Sequence, residues 1–355
     1  MNEEQTLLHR LDRSQTELDL LDLLTRIDTG DASDLPVTHR DRVDSIASAL
    51  RGGMASVLGK ESILHGWRVQ NLFAEVVAAL GSVQLLKSED VGDCYFSGAK
   101  PKPADFRIRS ADGRLMLTEV KNVYGRHRLP SLVLSQGELQ GLNRYASLAG
   151  ADDVTVAAYW ANLNLWTLVS LDAFSPDGDR SVLTVTDAMK GNRMAELGDL
   201  HIGTKSPLTL TMQADDPKPL NEAGEAAFTV GSVEIHCDGH LIPDEQEQRI
   251  AIQLMLHGNW SAEEEAIVED GRLAAIRFTC SPEVSDQERQ GFDFVGSLSS
   301  MYSAGFNHRT LGEDGAVREL ASSVSPGSLG TLIPEGYSGE ALPLWRFKQH
   351  PGSGS

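Results

Sequence analysis

Apolar residues recur every three or four positions near the start of the chain. Leu7, Leu8, Leu11, Leu18, Leu21 and Leu24 form one series, and Val43, Ile46, Ala47, Leu50 and Met54 a second. Such spacing lines one face of a helix, so the pattern predicts two helices joined by the polar linker 28–36. A third helix is predicted over 65–80, where Val69, Leu72, Phe73, Val76 and Leu80 make one stripe and Gly81 stops it. From about residue 93 the period drops to two. Cys94-Tyr95-Phe96, 105–109 and 115–123 read as short strands, the last two joined by the turn Ala111-Asp112-Gly113. A helix follows over 134–148, then strands over 154–160 and 165–171. Helix, three strands, helix, two strands predicts an α/β core, a mixed sheet flanked by helices.

Beyond residue 175 the pattern weakens. Strand character returns at 182–185, 208–212, 228–236 and 273–280, and Ser261-Ala262-Glu263-Glu264 has the spacing of a helix capping box. The sequence therefore predicts four parts: a helical region 1–60, the α/β domain 61–175, an acidic, β-rich α+β domain 176–350, and a disordered or expression-derived tail 351–355. No internal repeat is visible.

With 41% hydrophobic and 23% charged residues in 355, the composition is that of an ordered protein. No apolar run approaches the roughly 20 residues that cross a bilayer, and the N-terminus lacks the basic and apolar regions of a signal peptide. Cys94, Cys237 and Cys280 are widely spaced and odd in number, which argues against a disulfide framework or a cysteine zinc site and predicts a reducing cytoplasm.

Net charge is −20, which at first argues against a polyanionic partner. The charge is unevenly spread: residues 1–60 carry −4, 61–175 carry −1 and 176–355 carry −15. Within the middle segment, residues 100–128 hold eight Lys and Arg against three Asp and Glu, a local excess of +5. On its own this basic stretch is equally a solvated strand face.

The chemistry-bearing pattern lies in that stretch. Pro103-Ala104-Asp105 is followed, after thirteen residues, by Glu119-Val120-Lys121. Residues two apart on a strand share a face, so Glu119 and Lys121 point the same way, and a hairpin through Asp112-Gly113 would bring Asp105 beside them. Two carboxylates and the Val120 carbonyl form a hard oxygen site suited to Mg²⁺ or Mn²⁺, with a lysine at its edge to orient water and offset charge on a phosphate. Acid-x-Lys alone is weak, since 51 acidic residues and nine lysines yield about one such triplet by chance. The chain has a second, Asp216-Pro217-Lys218, which reads as a Pro-rich acidic loop where Pro breaks a strand. The bland reading of 119–121 is an ion pair on a strand face.

Over residues 65–171 these motifs resemble the PD-(D/E)xK nuclease superfamily, the restriction-endonuclease-like fold. The resemblance implies a Mg²⁺- or Mn²⁺-dependent deoxyribonuclease, with Asp105 and Glu119 as metal ligands and Lys121 as the catalytic lysine. It also implies a Glu from the preceding helix, for which Glu75 is the match, and a polar residue from the following helix, for which Gln136 is the candidate. Ala104 departs from the family pattern, where Pro directly precedes Asp. Lys100, Lys102, Arg107, Arg126 and Arg128 are candidate nucleic-acid contacts, with Tyr124 beside them.

Other patterns fail. The glycines at 53 and 59 before Lys60 are mis-spaced for a P-loop and lack its hydroxyl. The run His236-Cys237-Asp238-Gly239-His240 reads better as a strand end and turn than as a metal site. GxSxG, HExxH and a strand-borne GxGxxG are absent. Trp160 and Trp166 read as core. An acidic body behind a basic site suggests nuclease activity that is regulated, or delivered by a protein partner or an oligomer, as in restriction, anti-phage defence or repair. The competing readings are a structure-selective junction resolvase, and a non-enzymatic α/β interaction protein with a structural Asp/Glu/Lys cluster.

Overall fold

In the computed structural model, which describes residues 8, 24, 27, 33–90, 93–125, 129–334 and 336–352, the apolar stripe of the third predicted helix is fully used. Helix α2 (Glu61–Leu80) buries Val69, Leu72, Phe73, Val76 and Leu80. It stops at Gly81, whose φ of 69° is left-handed. A Cβ there would come within 2.8 Å of the Gly327 Cα, because the chain at 327–330 crosses this helix end and donates amides to the Ala78 and Ala79 carbonyls. The free carbonyls of the last turn are thus capped from far along the chain. Before α2 lies α1 (Arg40–Leu58), of which only Ile46 is buried among the described residues. The first predicted helix and residues 353–355 of the tail fall outside the described residues, Leu8 and Leu24 apart.

The main sheet is mixed, in the order β1 (Val83–Ser88), β2 (Phe106–Ser110), β3 (Leu115–Val123), β5 (Asp153–Trp160), β6 (Leu165–Ser170). All neighbours are antiparallel except β3 and β5. These two run parallel and are joined by α3 (Gln136–Ala149), as a crossover requires. One expected strand is misplaced in the sequence reading. The strand before β2 is β1, which follows α2 at once and pairs from Val83–Ser110 to Ser88–Phe106. Cys94-Tyr95-Phe96 instead lies exposed outside any strand, with Tyr95 92% accessible. Three residues of alternation without a pairing partner do not make a strand.

Leu134, expected in the helix, belongs to β4 (Ser131–Ser135), which pairs with β8 (Arg180–Thr184) in a small sheet completed by β7 (Ser175–Asp177). Ser135 then caps α3 reciprocally with Glu138. The chain continues through the short helix α4 (Val185–Lys190) to β9 (His201–Thr204), then β10 (Leu208–Pro219), β11 (Val230–Cys237) and β12 (His240–Leu241). Helix α5 (Glu245–His257), β13 (Ser261–Glu269), β14 (Arg272–Ser281) and the four-residue α6 (Gln287–Gln290) follow. β15 (Asp293–Ser297), α7 (Leu298–Thr310) and β16 (Leu344–Phe347) complete the described elements. A second, antiparallel sheet has the order β12-β11-β10-β14-β13, and β9 sits between β15 and β16 in a third.

The capping signature at Ser261 is a correction. Ser261 to Glu269 form an edge strand that pairs with β14 along its length. The helix starts earlier, where Asp244 accepts the amides of Gln246 and Glu247. A local cap is worth about 1 kcal/mol, and a full ladder outweighs it. Asp216-Pro217-Lys218, expected as a loop, instead lies at the end of β10, where the pairing with β14 shifts register between Gln213 and Lys218, so the missing proline amide interrupts no regular bond. Asp238 and Gly239, at φ 51° and 77°, form the β11–β12 turn, consistent with the strand-end reading of 236–240. Trp160 and Trp166 are core.

The core under α2 is shared. Val69 to Leu80 belong to one buried cluster with Trp166 and Leu168 of β6, Ile202 of β9, Ile250 and Leu254 of α5, Phe306 of α7, and Leu342. On the opposite face of the main sheet, Ala104 and Leu117 pack against Leu142 and Ala146 of α3.

Candidate active site

The β2–β3 hairpin closes at Gly113, φ 87°, and pairs Phe106 with Thr118. Continuing that register sets Asp105 opposite Glu119 at the point where the ladder ends. The Asp105 carboxylate takes over there: Oδ2 accepts the Val120 amide at 2.6 Å, and Oδ1 accepts Gln70 Nε2 from α2 at 2.7 Å. Its backbone carbonyl accepts the amide of Glu89 just past β1. Asp105 is therefore fixed by three elements. Ala104, where the family pattern has Pro, is fully buried and clusters with Leu142 and Ala146 of α3.

Glu119 is 4% exposed. Its Oε1 accepts Lys121 Nζ at 2.8 Å and also the ammonium of Lys102. Its Oε2 is buried with no hydrogen-bond partner. A buried carboxylate oxygen left unpaired costs free energy, which marks the place where a cation is wanted. Glu138 of α3 completes the group, its Oε1 3.6 Å from Lys121 Nζ and 3.8 Å from Lys102 Nζ, and its Oε2 bound to Ser135 in the helix cap.

The titration behaviour follows from this crowding. Burial first, then the Glu119 carboxylate, pushes Asp105 up to about 7 despite the Val120 hydrogen bond. Asp90 is also raised, by burial and then by Glu119, which puts a further carboxylate within electrostatic reach. For Lys121, burial pulls downward, but Glu119, Glu138 and Asp105 together outweigh it and raise the ammonium. For Glu138 burial pulls upward, and the Ser135 amide with the two lysines brings it below its ordinary value.

Asp105, Glu119, the Val120 backbone and Lys121 thus come together. Glu75 and Gln136 do not join them. Glu75 accepts the Ser322 amide at 2.6 Å, the Ser322 hydroxyl, and Tyr302 Oη at 2.8 Å. Five residues at 3.6 per turn place it about 140° around α2 from Gln70, so it faces away from Asp105. Gln136 points to β8, donating to Ser181 Oγ at 2.9 Å, and Glu138, two residues on, meets the lysines instead. Of the proposed nucleic-acid contacts, Lys102 is part of the cluster. Arg107 is held by Glu89 at 2.5 Å, which also accepts Tyr145 Oη. Lys100 and Tyr124 are exposed. Arg126 and Arg128 fall outside the described residues. The sequence reading missed Gln70, Asp90 and Glu138 as neighbours of the site. The Ser-x-x-Glu spacing at 135–138 is a capping-box signal that would place Glu138 in the first turn of a helix, and nothing in the sequence marks the other two.

Among the described residues, no three His, Cys, Asp or Glu side chains gather in a metal-holding arrangement. A divalent ion would have two carboxylates, Asp105 and Glu119, with the Val120 carbonyl and water making up the rest. The unpaired Glu119 oxygen and the raised Asp105 carboxyl both fit such an ion, since a nearby cation would relieve each of them. No described helix is long and apolar enough to cross a membrane.

No protein-family profile matches the chain, and no curated protein matches it. Among solved structures it is similar to the Holliday junction resolvase Hjc of Archaeoglobus fulgidus, at 19% identity and a TM-score of 0.22, over 29% of this chain and 85% of that one. At that TM-score the likeness carries no argument about chemistry. What the chain itself presents is a mixed α/β fold in which a hairpin delivers two buried carboxylates and a lysine to one point.

Proposed function

We propose that the chain is a Mg²⁺- or Mn²⁺-dependent nuclease that hydrolyses DNA phosphodiester bonds, with a restriction-endonuclease-like core. The observation that carries the reading is Glu119: buried, bonded to Lys121 through one oxygen, unpaired at the other, and opposite the raised carboxyl of Asp105. When bound, the metal would supply Lewis-acid stabilisation of the phosphate and a more acidic water. Asp105 and Glu119 would hold it, Asp105 kept in place by Gln70 and the Val120 amide. Lys121, a quarter exposed, would orient the attacking water or donate to a phosphate oxygen. Gln136 and Glu75 have no step in this reading.

The setting is part of the proposal. Lys102 and Arg107 are engaged internally and residues 176–355 carry −15, so unaided DNA binding would be weak. That favours activity delivered by a protein partner or a second copy in a reducing, cytoplasmic setting, in restriction, anti-phage defence, repair or junction resolution.

The test is cleavage of supercoiled plasmid and of linear single- and double-stranded DNA in Mg²⁺ and Mn²⁺ at low salt, by wild type, Lys121→Ala and Glu119→Ala. Metal-dependent cutting lost in both variants is expected. The second reading, a structural ion-pair cluster in a non-enzymatic protein, is favoured by the complete pairing of Lys102, Lys121 and Glu138. It requires no cutting and no Mn²⁺ binding by calorimetry.

A further inference from the structure

Two ammonium groups, not one, sit on the same carboxylate oxygen. Lys102 and Lys121 both reach Glu119 Oε1, and both lie within 4 Å of Glu138 Oε1. Like charges that close repel, and they stay together only where negative charge is dense enough to hold both. Together they bring +2, the charge of one divalent ion, to a carboxylate whose other oxygen has no partner.

Lys102 does not arrive there by drift. Its amide donates to the Gly141 carbonyl of α3 at 3.0 Å, and a Cβ at Gly141 would stand 2.9 Å from its own Cβ. A mid-helix glycine weakens a helix by roughly 0.5–1 kcal/mol relative to alanine, and here it lets the 100–104 loop lie directly on α3. Arg144 fixes the same loop through the Lys100 carbonyl at 2.6 Å. The side chain also has a second seat. Glu138, anchored by Oε2 to the α3 cap, turns Oε1 toward Lys102 at 3.8 Å, so an ammonium displaced from Glu119 moves to a neighbouring carboxylate rather than into bulk water.

We propose that Lys102 is a tethered cation that competes with the divalent metal for Glu119, holding the carboxylate in place while the metal is absent and raising the metal concentration needed to fill the site. The inference rests on the reading of Asp105 and Glu119 as metal ligands. It makes Lys102 a positioning residue that sets the metal requirement, not a contact to DNA.

The experiment is Mn²⁺ binding by calorimetry to the full chain, in wild type, Lys102→Met and Lys102→Arg, with melting in EDTA and DNA cleavage measured alongside. Lys102→Met is expected to bind Mn²⁺ at least tenfold tighter and to melt lower in EDTA. Lys102→Arg, which keeps the charge, is expected to bind within about threefold of wild type. Equal or weaker Mn²⁺ binding by Lys102→Met overturns the inference, even where cleavage by wild type upholds the nuclease. Tighter binding by Lys102→Met in a chain that never cuts DNA upholds the inference and overturns the nuclease. Absence of Mn²⁺ binding in every form overturns both. If Lys102→Met does not fold, Lys102→Gln takes its place under the same criteria.

Discussion

Gln70 donates from helix α2 to Asp105 at 2.7 Å, and through that bond the face of the sheet covered by α2 steadies a carboxylate that the hairpin alone would leave at a frayed ladder end. Gln70→Ala removes a hydrogen bond to a buried acid, so a loss of about 1–2 kcal/mol in urea unfolding is expected. A weaker grip on Mn²⁺ by roughly tenfold should accompany it, since 1.4 kcal/mol of lost orientation is one decade in affinity. Unchanged Mn²⁺ affinity would show that Asp105 needs no help from α2.

The raised carboxyl of Asp105 makes stability depend on pH. Its ordinary value is 3.8 and the folded value about 7, so between these the folded protein keeps a proton that the unfolded chain has lost. The contribution is fully present below about pH 4 and is lost as pH rises through about 7. In EDTA, wild type should therefore lose stability relative to Asp105→Asn as pH climbs from 4 to 8, and Mn²⁺ should abolish the trend. Parallel melting curves for the two proteins over that range would rule out a raised Asp105.

Arg107 sits in the basic stretch, yet a buried carboxylate holds its guanidinium. The Glu89 side chain it holds is 6% exposed, and Tyr145, pushed up to about 12 by burial and then by Glu89, leans on the same oxygen. Arg107→Ala should destabilise by about 2–3 kcal/mol, less than for a fully buried pair because the guanidinium keeps a third of its surface in water. The salt dependence of DNA binding should not change. A drop of about one in the slope of log affinity against log salt would instead return Arg107 to the phosphate backbone.

What the sequence revealed and what it hid follow the reach of each interaction. The α2 stripe, the hairpin register and the shared face of Glu119 and Lys121 depend on local period, which is written in neighbouring residues. Cys94-Tyr95-Phe96 misleads because alternation without a pairing partner makes no strand, and Ser261 because its cap-like spacing competes with a hairpin that the turn Asp270-Gly271, at φ 48° and 74°, closes onto β14. The family resemblance points to Glu75 and Gln136 by position alone. Rotation about α2 gives the first place to Gln70, and in the first turn of α3 Gln136 bonds Ser181 of β8 while Glu138 meets Lys121.

Glu75 gives a contrasting prediction. It holds Ser322 and Tyr302, so Glu75→Ala should cost about 2 kcal/mol by stranding their donors, with Mn²⁺ affinity unaltered. A tenfold fall in Mn²⁺ affinity with stability intact would place Glu75 at the metal.

The bond from Ser322 to Glu75 spans 247 residues of chain. During synthesis the helix bearing Glu75 emerges long before its partner, and closing so long a loop is slow. Until residue 322 has left the ribosome this carboxylate has neither the serine amide nor the serine hydroxyl, and the end of α2 has none of the amides that later cap it. The nascent sheet and its carboxylates would therefore wait, partly built, on the acidic half of the chain. A holdase chaperone that covers the inner face of α2 during that interval would meet the protein at the stage when it is most exposed to aggregation.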